Sequence, residues 1–210
     1  DRRVPLTRPA GILSPSDGLM TTKGLIDIEA ITDPNNDTLR PISAVVYLEN
    51  DTYLPKVEQN GSFVQQIELP KDGTFQVHIS ALDFNLNTAH SWLNVTRDTK
   101  APSLSVTSPK DAMLTKISTI AVQGMTEPLA ILTVNGKPVD VLADGSFSTS
   151  VMLAEGDNEI FVSTADAVGN TANVTLTVRL DTIAPPLIIT SPKSEVLTRD
   201  SGLPVLGTIE

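Results

Sequence analysis

A fixed step of 83 residues runs through this chain. Asp98-Thr99-Lys100-Ala101-Pro102 returns as Asp181-Thr182-Ile183-Ala184-Pro185. Ser108-Pro109 returns as Ser191-Pro192, Leu114-Thr115 as Leu197-Thr198, and Gly124-x-x-Glu127 as Gly207-x-x-Glu210, each 83 positions on. A period this long exceeds the roughly 20–45 residues of a solenoid repeat and fits an array of whole small domains. With 210 residues, the chain has room for about two complete domains of roughly 100 residues. The expected units are 1–97, 98–180 and an incomplete third at 181–210.

Within the clearest unit the hydrophobic period is two. Leu104 and Val106 alternate with polar residues up to Ser108-Pro109, and Ile120 and Val122 alternate before Gly124. Leu132 and Val134 lead into Asn135-Gly136, a hairpin signal because both positions favour positive φ. Phe147, Val151 and Leu153 follow a turn at Asp144-Gly145. Ile160, Val162 and Thr164 lead to Asp166-Ala167-Val168-Gly169-Asn170, and Val174, Leu176 and Val178 close the unit. About seven short strands with a turn signal roughly every 8–12 residues predict an Ig-like β-sandwich. The fold class is therefore all-β, and no window carries a helical period.

The first unit follows the same plan. Ser14-Pro15 precedes Ser108-Pro109 by 94, but Asn60-Gly61-Ser62-Phe63 precedes Asp144-Gly145-Ser146-Phe147 by 84, so ten extra residues lie between. The polar loop near 32–41 is the expected insertion, and loops on rigid sandwiches are common binding sites. The third unit holds two predicted strands, too few to bury a core, so continuation of the chain or completion by another chain is expected. The sequence starts at Asp1, which reads as a processed product or a piece of a longer protein.

Cysteine is absent, which excludes disulfides, thiolate metal sites and thiol nucleophiles. A formal net charge of −10 makes nucleic acid and anionic membranes poor partners, and no apolar run reaches the roughly 18 residues of a membrane span. Neither His78 nor His90 falls in a motif with a nucleophile, and no zinc-hydrolase, serine-hydrolase or phosphate-loop pattern occurs. The chain is expected not to be an enzyme and to need no cofactor.

The run Asp-Thr-x-Ala-Pro, Gly124-x-x-Glu127-Pro128, Val134-Asn135-Gly136, Asp144-Gly145-Ser146-Phe147, Glu155-Gly156-x-Asn158 and Asp166-Ala167-x-Gly169-Asn170 resembles the Ig-like (Big-type) repeats of bacterial and archaeal surface proteins. It is also similar to the Ig-like accessory domains of secreted glycosidases. The resemblance implies an extracellular or cell-surface place and a spacer, adhesin-stalk, surface-layer or filament-coat role. Its partners would be neighbouring Ig-like domains, glycans or cell-surface proteins. Some members hold Ca²⁺ at domain junctions. The matching carboxylates here are Asp98 and Asp181 in the linkers and Asp83 and Asp166 in the turns before the last strands. The other reading is that Asp166 and Asn170 cap their own turn and that Asp98 and Asp181 open stiff linkers.

Five Asn-x-Ser/Thr sequons, at Asn36, Asn50, Asn60, Asn94 and Asn173, are candidate glycan acceptors. By alternation Asn94 and Asn173 point to solvent, as do His78 and the sole tryptophan, Trp92. A competing function follows from these exposed groups. A carbohydrate- or protein-binding accessory module of a secreted enzyme would use the 32–41 loop, Trp92 and Tyr47 or Tyr53. Against it stands an aromatic content of 4%.

Overall fold

The computed structural model describes residues 11–31, 41–83, 88–193, 195–199 and 201–209, without the side chains of 41, 42 and 83. Most of the 32–41 loop, with Asn36, lies outside these residues, as does the Asp83 carboxylate.

The period of two turns directly into burial. In β3 (Leu25–Ile31) Ile26, Ile28 and Ala30 are buried and their neighbours are not. This strand lies between β1 (Gly11–Ser14) and β6 (Ser62–Glu68) in a three-stranded sheet. Facing it is a five-stranded sheet ordered β2 (Leu19–Thr21), β8 (Thr88–Arg97), β7 (Gly73–Asp83), β4 (Pro41–Leu48), β5 (Asp51–Tyr53). The two sheets meet over Ile28, Ile67, Val46, Val77, Ile79 and Val95, all buried in one cluster. Burying each such side chain contributes about 1.5–3 kcal/mol.

The same frame is built a second time. β9 (Leu104–Ser108), β11 (Thr119–Thr126) and β14 (Ser146–Met152) form the small sheet. β10 (Met113–Thr115), β16 (Thr171–Leu180), β15 (Gly156–Ala165), β12 (Ile131–Val134) and β13 (Lys137–Val139) form the large one. Val122 and Phe147 pack there with Leu132, Ile160, Val162 and Val178. A last pair, β17 (Leu187–Ser191) and β18 (Leu206–Ile209), forms a two-stranded sheet whose Leu187, Ile188, Ile189, Leu206 and Ile209 are all exposed. The architecture is all-β and Ig-like, with sheets paired as sandwiches.

Among the described residues each sandwich has eight strands where about seven are expected, because its opening strand is divided. Proline has no N–H to donate, so the ladder breaks at Ser14-Pro15 and at Ser108-Pro109. Beyond the break the chain joins the other sheet, β2 pairing parallel with β8 and β10 parallel with β16.

Turn chemistry follows sequence closely. Asn135 and Gly136 have φ of 48° and 74°, the two positive values the hairpin requires. Asn60 Oδ1 accepts from Ser62 N at 3.1 Å and Ser62 Oγ at 2.7 Å, and Asp144 Oδ1 accepts from Ser146 N at 2.9 Å and Oγ at 2.7 Å. Gly124 meets a different demand. A Cβ there would strike the Ser105 carbonyl oxygen and lie 2.6 Å from the Phe147 ring, because β9 and β14 both press on this position.

The inserted residues are shared between two places. Strand register equates Ala30 with Gly124, Val46 with Val134 and Phe63 with Phe147, at separations of 94, 88 and 84. Six of the ten extra residues therefore precede Val46, in the span containing the 32–41 loop. The other four fall between Val46 and Phe63, around the hairpin of β4 and β5.

Candidate functional site

Three strands of the first sandwich bring a row of rings onto its outer face. Register sets Tyr47 of β4 opposite His78 of β7, and His78 opposite Trp92 of β8. Neighbouring strands lie about 4.8 Å apart, so rings on directly opposed residues come into contact. His78 stacks on Tyr47 with ring centroids at 5.2 Å and on Trp92 at 5.0 Å, with interplanar angles of 16° and 12°. His90, two residues before Trp92 on β8, reaches diagonally across to place Nδ1 3.0 Å from His78 Nε2. Partial desolvation, and then the nearby His90 charge, hold the His78 pKa below its ordinary value.

The row is accessible. Trp92 is 56% exposed and Tyr47 38%. Beside Trp92 and His90 a shallow groove of about 480 Å³ runs to Ile12, Pro15 and Asp17, where the opening strand changes sheets. Asp17 also clamps β8: its Oδ1 accepts from Asn94 N at 2.6 Å and from Asn94 Nδ2 at 3.1 Å. Tyr53 does not join this face. It packs against the buried cluster, and its hydroxyl accepts from Glu68 N at 3.4 Å. Of the ring residues singled out from sequence, Tyr47 and Trp92 fall in one row on either side of His78; the His78–His90 pair has no signal in the sequence.

The linker carboxylates are occupied by their own turns. Asp98 Oδ1 accepts from Lys100 N at 3.0 Å, and Asp181 Oδ1 from Ile183 N at 3.2 Å. Asp166 Oδ1 accepts from Val168 N and Asn170 N, both at 2.9 Å, and Oδ2 from Asn170 Nδ2 at 2.8 Å. Desolvation works against charge on Asp166, but the hydrogen bonds from Asn170, Val168 and Gly169 outweigh it and hold the pKa below its ordinary value. Among the described residues, no group of three or more His, Asp or Glu side chains is arranged to hold a metal ion.

The linkers themselves are tied down. Asp98 N donates to Thr21 O at 2.9 Å, and Thr99 Oγ1 to Asp72 Oδ2 at 2.8 Å, both in the first sandwich. The carbonyl of the same Asp98 accepts from Asn170 Nδ2 at 3.1 Å, in the second. The second linker repeats the first two ties. Asp181 N donates to Thr115 O at 2.9 Å, and Thr182 Oγ1 to Glu155 Oε2 at 2.7 Å.

Of the sequons, Asn50, Asn60, Asn94 and Asn173 are exposed. Asn50 sits in the hairpin between β4 and β5, Asn60 in an Asx turn, and Asn173 on β16 opposite Ser163. No helix among the described residues is long and apolar enough to cross a membrane.

Comparison with known proteins agrees with this architecture. The fold resembles the fibronectin(III)-like modules of CbhA from Clostridium thermocellum, with a TM-score of 0.50, 15% identity, and coverage of 81% of this chain and 93% of that one. Bacillopeptidase F of Bacillus subtilis is 30% identical over 161 residues, which are 76% of this chain and 11% of the relative. The chain thus spans only about a tenth of that relative's length. Residues 102–182, the second sandwich, match the family model of glucodextranase domain B.

Proposed function

We propose that this chain is a non-catalytic structural module that spaces and orients other parts of an extracellular or cell-surface protein. The observation that carries the reading is Asp98, whose N–H is bonded to the first sandwich and whose carbonyl is bonded to the second. A linker fixed at both ends limits hinge motion, as a spacer needs. The repeat of Asp-Thr-x-Ala-Pro brings back the ties to the preceding sandwich at Asp181 and Thr182, so the second linker is anchored to the second sandwich in the same way. The matches to an accessory domain of a glucodextranase and to part of a peptidase support a module borne by larger proteins.

Small-angle scattering on residues 1–181 tests this. An elongated particle that becomes more flexible in Asn170→Ala is expected. A compact particle with the sandwiches folded on each other, unchanged by Asn170→Ala, refutes the spacer role. If Ca²⁺ stiffens the junction through Asp98, Asp166, Asp181 and Asp83, adding it after chelation raises the melting temperature. Since the three described carboxylates already accept hydrogen bonds, the expected rise is small, below about 10 °C.

A second reading rests on Tyr47 and Trp92, exposed at the two ends of a ring row with half-buried His78 between them. Such a face suits stacking on a sugar ring or an aromatic side chain, as an accessory binding module requires. Glycan-array or pull-down binding that disappears in Trp92→Ala would favour it over the spacer alone. Binding unchanged by that substitution would remove it.

A further inference from the structure

The only two histidines of the chain have converged on one face, with His78 Nε2 3.0 Å from His90 Nδ1. We propose that this pair is a binding site for a transition-metal dication, with Cu²⁺ preferred over Zn²⁺ and Ni²⁺.

The chemistry follows from the imidazole ring. A neutral ring carries one N–H and one lone pair. In the hydrogen-bonded pair, one proton lies between the two facing nitrogens. When a metal ion enters, that proton moves to the outer nitrogen of its own ring. Both facing nitrogens then present lone pairs, each ring keeps one N–H, and no proton is lost overall. Imidazole nitrogen suits copper, nickel and zinc, and the divalent order places Cu²⁺ highest. Calcium and magnesium prefer oxygen, so this site is chemically distinct from the linker carboxylates.

The frame around the pair is prepared for binding. β7 and β8 pair continuously from Gly73↔Arg97 to Leu82↔Thr88, which fixes both backbones. Tyr47 and Trp92 contact His78 from the neighbouring strands and hold its ring plane. Only side-chain rotation is needed to open the nitrogens onto one ion. With two protein ligands the remaining positions belong to water, so the ion exchanges with solvent, unlike a closed four-ligand structural site. The second sandwich cannot copy the site, because register puts Phe161 and Asn173 where His78 and His90 stand.

Trp92 provides the readout. Its ring centroid is 5.0 Å from that of His78 and 5.9 Å from that of His90, and it is the sole tryptophan. Cu²⁺ bound at the pair would quench its emission on contact. The tag-free chain is titrated with CuCl₂ in a non-coordinating buffer at neutral pH, with Zn²⁺ as competitor. Saturable quenching at one equivalent is expected, reversed by excess Zn²⁺ and untouched by Ca²⁺. His78→Gln and His90→Gln, each checked for an unchanged circular dichroism melt, should raise the midpoint by at least about tenfold. Quenching that fails to saturate, or that keeps its midpoint in the His78→Gln/His90→Gln double variant, overturns the proposal. If a variant does not fold, substoichiometric Cu²⁺ on the native chain decides by NMR. The two imidazoles should broaden first, and earlier broadening elsewhere would refute the site.

Discussion

Two buried threonines tie the two sheets of the second sandwich to each other at one end, and to its linker. Thr126, 5% exposed, ends β11 in the small sheet, and Thr164, fully buried, lies on β15 in the large one. Thr126 Oγ1 is 2.9 Å from Ser103 O and 3.0 Å from Thr164 Oγ1. A hydroxyl has a single proton. The Ser103 carbonyl can only accept, so Thr126 donates to it and Thr164 must donate to Thr126. The two substitutions by valine, a residue of similar shape that suits strands, are therefore unequal. Thr164→Val removes one hydrogen bond and leaves the Thr126 proton satisfied, at a cost of about 0.5–1.5 kcal/mol. Thr126→Val loses the bond to Ser103 and also strands the buried Thr164 hydroxyl, so its cost is about 2–4 kcal/mol. Adding Thr164→Val to Thr126→Val should restore stability, since it deletes the stranded hydroxyl. For a domain of this size 1 kcal/mol moves the melting temperature by about 4–8 °C. Differential scanning calorimetry on the full chain reads the effect, while Trp92 fluorescence, which reports the first sandwich, should not shift. If Thr126→Val costs no more than Thr164→Val, or if the double variant is less stable than Thr126→Val, the assignment of donors is wrong.

Gly124→Ala should destabilise the second sandwich by about 1–3 kcal/mol, because its Cβ meets the Ser105 carbonyl and the Phe147 ring. Gly24→Ala, with only the Arg97 guanidinium 3.7 Å away, should change stability by less than about 0.5 kcal/mol in urea melts. The Asp166 pKa is held below its ordinary value in the folded chain, so its contribution is present at neutral pH and lost as pH falls from the ordinary carboxylate range through the lower folded one. Melts of Asp166→Asn should accordingly show a weaker loss of stability over that acid range than the native chain. In a host that glycosylates sequons, Asn60 should carry more glycan than Asn94, whose Nδ2 donates to Asp17 Oδ1. Glycopeptide mass spectrometry checks this, and equal occupancy would contradict it.

Alternation and turn chemistry make the sandwiches legible in the sequence. Ile26, Ile28 and Ala30, or Ile160, Val162 and Thr164, are buried because a strand can hide only every second side chain. Asn135-Gly136 formed the hairpin its φ preferences demand. Three features were not legible because each depends on what lies opposite. The divided opening strand needed a second sheet to receive β2 and β10. The ten-residue insertion had been placed wholly in the 32–41 loop, yet cross-strand register divides it between two spans. The His78–His90 pair depends on the register of β7 against β8. Alternation puts His78 on the outer face, but only the pairing of His78 with Trp92 brings His90 within reach.

The second sandwich also separates what the fold requires from what the first sandwich adds. The clamps recur: Asp111 Oδ1 accepts from Thr177 N at 2.8 Å just as Asp17 does from Asn94 N. The Asx turns at Asn60 and Asp144 recur, and so do the linker ties at Asp98 and Asp181. The outer row does not. Where the first sandwich has Tyr47, His78, Trp92 and His90, register gives the second Asn135, Phe161, Thr175 and Asn173. The same pair of sheets therefore forms with an entirely different set of residues at those four positions. Packing of the frame cannot be what demands His78 between a tyrosine and a tryptophan with His90 beside it. Substitutions in the row thus test binding rather than folding, whereas substitutions in the clamps and linker test the frame.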